Sequence, residues 1–300
     1  MVSSSTILKE ISSLRARDYL PRNYVAFHED LFQEQREAKI RFREQVILDD
    51  IPKRDLELTG EGGAHLLDID RLRCPEEMLR TLFQRICALF EKYGQWSPAQ
   101  TERLNRAVAE GDILLQEVMN GAVLKDMTYL DSVAETVQIE KDALYFLGLQ
   151  MGKPFFELLA QEVRGDLDEG CLTGGHCPIC GQEPAMAKLE REEGHRVLHC
   201  SLCHTDWHFP RLQCPFCLND DQETLRFFFV EEASPYRVDV CDVCRRYVKT
   251  VDERQCDEEE EFHLEVEHIG TVFLDILAAS EGYQGPHHFL FKTEKEPILS

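Results

Sequence analysis

Four C-x-x-C pairs constrain this chain more than any other feature: Cys177-Pro-Ile-Cys180, Cys200-Ser-Leu-Cys203, Cys214-Pro-Phe-Cys217 and Cys241-Asp-Val-Cys244. Two residues between thiolates let the backbone turn tightly and aim both sulfurs at one ion. The amide N–H groups of such a turn point at the sulfurs and offset their charge. Gly181, directly after Cys180, permits the positive φ that the turn needs. Two such knuckles make a tetrahedral S₄ shell, which suits Zn²⁺ or a single rubredoxin-like iron. Between Cys180 and Cys200 lie 19 residues, and between Cys217 and Cys241 lie 23. Either gap holds a strand-turn-strand ribbon, whereas the 10 residues between Cys203 and Cys214 are a short connector. The expected sites are therefore Cys177, Cys180, Cys200 and Cys203, then Cys214, Cys217, Cys241 and Cys244. An interleaved pairing, first knuckle with third and second with fourth, is the alternative.

The other cysteines fit no ligand spacing. Cys74 and Cys87 are expected to be ordinary thiols of a helical region, and Cys171 and Cys256 to be unliganded. Nine of the eleven histidines follow residue 175, and His176, His199 and His204 abut ligand cysteines. A full sulfur shell leaves them no coordination slot, so they are expected to be solvent-facing or to support the cysteines. The start of the chain has no basic stretch followed by an apolar one, and no apolar run approaches the ~18 residues of a membrane span. A cytoplasmic protein is expected, in a compartment where paired cysteines read as metal ligands before disulfides. The formal charge of −23 argues against nucleic acid and against an anionic membrane surface as partners. No phosphate-cradling glycine loop, nucleophile elbow or H-E-x-x-H motif is present, so no catalytic residue and no enzymatic activity are expected.

The fold class read from the sequence is α+β: an N-terminal irregular helical bundle, two tandem rubredoxin-like or zinc-ribbon metal modules, and a C-terminal helix. Residues 1–165 form the helical domain, 166–212 the first Cys₄ ribbon, 213–256 the second, and 257–300 the closing helix and docking tail. Apolar residues recur at helical spacing in Tyr24–Ile47 and Glu76–Tyr93, and Ser97-Pro98 reads as an N-cap followed by proline at the first helical position. Gly121 is expected to end one helix, and Gly152-Lys153-Pro154 to end another and start the next. Gly165–Gly175 reads as a linker. Strands are expected at Arg196–His199, Asp206–Arg211, Thr224–Val230, Tyr236–Val240 and Tyr247–Val251. The acidic run Asp257–Glu261 reads as solvated, Val266, Ile269, Phe273 and Leu277 as one helix closed by Gly282, and Gly285–Phe291 as an apolar tail that docks on the body.

Around the knuckles the chain resembles the formate dehydrogenase accessory protein family, FdhE. The residues that carry this are Cys177-Pro-Ile-Cys180-Gly181-Gln-Glu-Pro184, Leu198-His199-Cys200-Ser-Leu-Cys203-His-Thr-Asp-Trp207, Arg211-Leu-Gln-Cys214-Pro-Phe-Cys217 and Cys244-Arg-Arg-Tyr247-Val-Lys249. The closing Glu281-Gly282-Tyr283 and Phe289-Leu290-Phe291 match as well. Leu218 departs from the pattern, since a glycine often follows the second cysteine of a knuckle. The resemblance implies a non-enzymatic, cytoplasmic maturation factor that binds the catalytic subunit of a molybdenum- or tungsten-containing formate dehydrogenase. It also implies two metal ions, iron or zinc, held by the eight cysteines. A rubredoxin-like redox module and a nucleic-acid-binding zinc ribbon are the other readings of the same cysteines.

Overall fold

The computed structural model describes residues 4–45, 50–54, 65–167, 174–230, 235–257 and 261–285. Its described residues divide into two compact units, one made of those in 1–52 and 68–162, the other of those in 53–67 and 163–285.

The first unit is helical. Its described elements are α1 (Ser4–Ser13), α2 (Arg22–Gln45), α3 (Glu76–Lys92), α4 (Pro98–Glu110), α5 (Leu115–Val123), α6 (Met127–Val137) and α7 (Lys141–Val163). The apolar spacing of α3 buries Leu79, Leu82, Phe83, Ile86 and Phe90 on one face. Phe90 stacks on Trp96 at 4.4 Å and meets Phe27 of α2 edge-on at 5.8 Å. Ser97 caps α4 as expected. Its hydroxyl accepts from the Gln100 amide while the Gln100 side chain accepts from the Ser97 N–H, so two otherwise orphaned donors are satisfied.

Two expected breaks are absent. Gly121 does not end α5, which continues to Val123. A Cβ at Gly121 would lie 2.9 Å from the Tyr129 ring, so this glycine makes room for a neighbour instead of stopping the helix. Likewise α7 runs unbroken through Gly152, Lys153 and Pro154. Its residues Leu144, Leu147, Met151, Phe155, Phe156, Leu158 and Leu159 are all buried. Burial of this many large side chains, at roughly 1.5–3 kcal/mol each, outweighs the ~3 kcal/mol that an interior proline costs.

The second unit is built on one six-stranded sheet, in the order β3-β2-β1-β6-β5-β4. The strands are β1 (Pro184–Leu189), β2 (Arg196–Cys200), β3 (Asp206–Phe209), β4 (Leu225–Phe229), β5 (Tyr236–Cys241) and β6 (Arg246–Asp252). Five lie where the sequence places them. The unforeseen one is β1, whose Pro-Ala-Met-Ala-Lys-Leu carries little β-propensity. It decides the topology. It pairs antiparallel with β2 and parallel with β6, in register from Met186↔Lys249 to Leu189↔Asp252, so the two ribbons share one sheet. The C-terminal helix is also corrected: it is two helices, α8 (Leu264–Gly270) and α9 (Val272–Ser280), parted at Thr271. The buried Lys249 ammonium donates to the His268 carbonyl at 2.7 Å, the carbonyl that would otherwise receive the Val272 amide. Val238, Val240 and Tyr247 of the sheet pack with Leu274, Ala278 and Tyr283.

The readings made for 168–173, which include Cys171, for 258–260, and for the tail from Pro286 on lie outside the described residues. Just before that tail, the Gln284 amide donates to the Arg245 carbonyl at 2.8 Å. Among the described residues no helix is long and apolar enough to cross a membrane.

Candidate metal centres

The knuckles close through two recurring backbone hydrogen bonds, each seen in three of the four. The Gly181 amide donates to the Cys177 carbonyl at 2.8 Å, Leu218 to Cys214 at 2.9 Å and Arg245 to Cys241 at 2.9 Å. The first cysteine's own amide donates five residues ahead, Cys177 to Gln182, Cys200 to Thr205 and Cys214 to Asn219. The residue after each second cysteine takes positive φ: Gly181 at 75°, His204 at 54°, Leu218 at 59° and Arg245 at 57°. The turn therefore demands a left-handed residue at this position in all four knuckles, and three of the four supply it without glycine. A left-handed non-glycine residue costs roughly 1–2 kcal/mol. Leu218 is largely exposed and has little packing to lose. Leu218→Gly is thus expected to stabilise the second ribbon by ~0.5–1 kcal/mol, after allowing for glycine's extra chain entropy, measured as a shift in its unfolding midpoint with metal bound.

The knuckles gather consecutively, which excludes the interleaved arrangement. Cys177, Cys180, Cys200 and Cys203 form one group and Cys214, Cys217, Cys241 and Cys244 another, with all four sulfurs of each group within 4.8 Å of one another. Across site one Cys177 Sγ lies 3.5 Å from Cys203 Sγ, and Cys180 Sγ 3.4 Å from Cys200 Sγ. Across site two the Cys214–Cys244 and Cys217–Cys241 separations are both 3.7 Å. Four sulfurs at ~2.3 Å from a tetrahedral ion stand about 3.8 Å apart, so both cages fit a Zn²⁺-sized ion.

Electrostatics point the same way. Amides of Leu202 and Cys203 lie 3.4 Å from the Cys200 sulfur, as donors to a thiolate would. Burial, reinforced by the neighbouring thiols, pushes the Cys180 thiol well above its ordinary pKa. At Cys214 burial again raises it, against the amides of Cys217 and Phe216. Cys244 is pushed up to about 11, chiefly by burial. Burial also opposes ionisation of Cys241, but the amides of Cys244 and Val243, together with hydrogen bonds from the Cys217 and Cys244 thiols, bring the thiol below its usual value. Thiols held together and partly desolvated resist ionisation, and a divalent ion reverses that balance by neutralising the charge.

The two cages differ in their surroundings. Every cysteine of site one is buried, whereas in site two Cys217 is exposed and Cys244 half-buried. Site one has an additional cover that the sequence did not disclose. The amides of Leu66 and Leu67 donate to the carbonyls of Pro178 and Ile179 at 2.9 Å, and His65 packs so closely that a Cβ on Gly181 would lie 2.7 Å from its ring. Nothing in the composition of that early segment marks it as a partner of a knuckle. On the other side Gly175 abuts the third knuckle, where a Cβ would overlap the Pro215 carbonyl oxygen.

Cys74 and Cys87 are buried thiols as expected. Burial pushes Cys74 up to about 12 and Cys87 higher still, which suppresses their reactivity. Cys256 stands apart from both cages, its sulfur 3.6 Å from the Asp252 carbonyl. His176 is half-buried. His199 and His204 are not exposed: their rings stack at 5.2 Å beside Glu265.

Five arginines of the ribbon unit pair with carboxylates. Arg246 makes a bidentate pair with Glu183, at 2.5 and 2.7 Å, and covers the Phe216 ring. Arg226 and Arg245 pair with Asp242, and Arg196 and Arg237 with Asp239.

Comparison with known proteins returns to the family suggested by the knuckles. A model of the FdhE central domain matches residues 176–211. An FdhE homologue of Aquifex aeolicus is 29% identical over 148 residues, 48% of this chain and 50% of that protein. One from Haemophilus influenzae is 24% identical over 231 residues, 73% of this chain and 74% of that protein. One from Actinobacillus pleuropneumoniae is 30% identical over 167 residues, 53% and 52%. The chain thus spans between half and three-quarters of the length of these relatives. The crystal structure of the FdhE protein from Pseudomonas aeruginosa superposes with a TM-score of 0.51 at 16% identity, covering 95% of this chain and 94% of that one, and so shares its fold.

Proposed function

From this likeness to the FdhE proteins we propose that the chain is a non-catalytic, cytoplasmic accessory factor for formate dehydrogenase, whose two Cys₄ sites each hold an iron or zinc ion and which binds the enzyme's catalytic subunit. In this reading the eight cysteines are structural ligands. Each ion would fix the turns at one end of the sheet, and the surface so fixed would meet the partner.

The observation that carries the partner-binding part is the edge strand β4. Among the described residues it ends the sheet, paired with β5, and its Phe227 and Phe229 are 55% and 59% exposed with their rings stacked at 6.4 Å. Leu212, Leu218 and Val243, close in sequence to the cysteines of site two, are exposed too. Large exposed apolar side chains concentrated on one ribbon mark an interaction surface, and a strand edge that no other described strand covers invites an added strand. The pairing of the neighbouring arginines with carboxylates supports a protein partner over a nucleic acid.

The test is anaerobic co-purification with the catalytic subunit. The native protein is expected to capture it, and a Phe227→Ser, Phe229→Ser double variant to lose at least ten-fold in capture while keeping both ions. Failure of the native protein to capture the subunit in either redox state overturns the reading. A second reading, a rubredoxin-like redox module, is favoured by the exposure of Cys217, which brings a site-two ion close to solvent. Finding only zinc in both sites after anaerobic purification ends it.

A further inference from the structure

Apart from the sulfur cages, a third set of donors converges on one point. One imidazole nitrogen each from His199 and His204 and one carboxylate oxygen of Glu265 lie within 4.8 Å of one another. The fold builds this group from distant parts of the chain. His199 is the next-to-last residue of β2, His204 occupies the left-handed position after Cys203, and Glu265 comes from the first turn of α8.

His199 is the informative member. It stands directly opposite Asp206 in the β2–β3 register, and its Nδ1 lies 2.7 Å from the Asp206 carboxylate. In the neutral tautomer whose Nδ1–H donates to that carboxylate, Nε2 keeps its lone pair. His199 is 5% exposed, and Nε2 is buried without a hydrogen-bond partner. Another acceptor, Glu265 Oε2, lies 3.9 Å from it. Two acceptors facing each other in a desolvated place are unfavourable unless something positive sits between them. His204 Nδ1 completes the group, 3.5 Å from the same oxygen.

Metal-bound histidines hold this arrangement, with one ring nitrogen fixed by a carboxylate and the other free for the ion. Donors at ~2.0–2.1 Å from a tetrahedral ion stand about 3.3 Å apart, so the observed separations need contract only modestly. We propose that His199 through Nε2, His204 and Glu265 form a third metal site, for a divalent first-row transition ion of the Zn²⁺ or Fe²⁺ kind, with Asp206 as the positioning residue. Two imidazoles and one carboxylate exclude the sulfur-loving character of the other sites and disfavour Ca²⁺ and Mg²⁺, which take oxygen ligands. Three protein donors leave at least one coordination position for water or for a donor from a bound partner. The inference stands independently of the formate dehydrogenase reading.

The probe is Co²⁺, added to full-length protein already carrying two metal equivalents. One further equivalent is expected, with visible ligand-field bands and no sulfur-to-cobalt charge-transfer absorption. Glu265→Gln, and His204→Asn with a residue that accepts left-handed φ, are each expected to weaken this equivalent by more than 100-fold and to keep the original two. Asp206→Asn should weaken it by about 10–100-fold, as loss of an outer-shell partner does. Three results overturn the proposal: no equivalent beyond two, a third that survives both ligand variants, or one whose spectrum carries sulfur charge transfer. Glu265 is partly exposed at a helix surface, so its near-isosteric variant keeps the test decisive even if His204→Asn fails to fold.

Discussion

Cys180→Ser is expected to reduce the metal bound in the sulfur cages from two equivalents to one and to abolish the native unfolding transition of the ribbon unit. A Cys₄ ion contributes apparent binding energy of about 10–16 kcal/mol, as large as the whole stability of a typical domain, ~5–15 kcal/mol. Site one is the sensitive place because all four of its sulfurs are buried and three stretches of chain meet there: the knuckle before β1, the β2–β3 turn and the strip at Leu66-Leu67. Loss of its ion leaves a hydroxyl and three thiols desolvated with nothing to bind. Elemental analysis and the emission of Trp207, buried in β3 with its Nε1 donating to the Gly174 carbonyl at 3.0 Å, read the two effects. Cys217→Ser, at the exposed corner of site two, is expected to lose its ion with a smaller loss of fold. A Cys180→Ser protein that retains two sulfur-bound equivalents and a native transition contradicts the assignment of site one.

Asp275→Ala is expected to destabilise the ribbon unit by about 3–5 kcal/mol, the range for stripping one partner from a buried ion pair. Lys249 is 1% exposed, and its ammonium donates to Asp275 at 2.7 Å and to the His268 carbonyl at 2.7 Å. Asp275 also accepts the Tyr247 hydroxyl at 2.7 Å. Burial already pulls the Lys249 pKa below its ordinary value, against the raising effect of Asp275. With the carboxylate gone the folded-state pKa falls further. A lysine that binds its proton less readily when folded makes stability rise with pH between its folded and unfolded pKa values. The deficit of Asp275→Ala against the native protein is therefore widest at the lower pH and narrows as pH rises between the variant's lysine pKa and the native one. Lys249→Met removes the charge itself and is expected to cost less. Denaturant unfolding across that pH range measures both, and a deficit that grows with pH contradicts the account.

The ribbon half was legible because its information is local. Two residues between cysteines are enough to set a turn, and the strands after it alternate or carry β-branched and aromatic residues. The Ser97–Gln100 cap was legible for the same reason. Where the reading went wrong, a local signal met a stronger non-local one. Pro154 and Gly121 are helix breakers by themselves, yet α7 and α5 run through them because burial of the surrounding side chains outweighs the local penalty. The single helix expected from Val266 to Leu277 is divided because Lys249, a strand residue, takes a carbonyl that the helix would have used. The histidines beside the cysteines were read as bystanders, since nothing near them in sequence announces Glu265.

By itself, then, the sequence determined the four turns, the consecutive gathering of the sulfurs that the ribbon lengths favour, and the separation of a helical half from a β-rich one. These depend on spacings of a few residues, where the chain has few alternatives. Only the tertiary structure decided that β1 lies parallel to β6 and joins the two ribbons, that Leu66 and Leu67 cover the first knuckle, and that His199, His204 and Glu265 meet. Each is a contact between segments far apart in the chain. Its free energy comes from burial and pairing that exist only once the whole unit has closed, so no short window of sequence carries it.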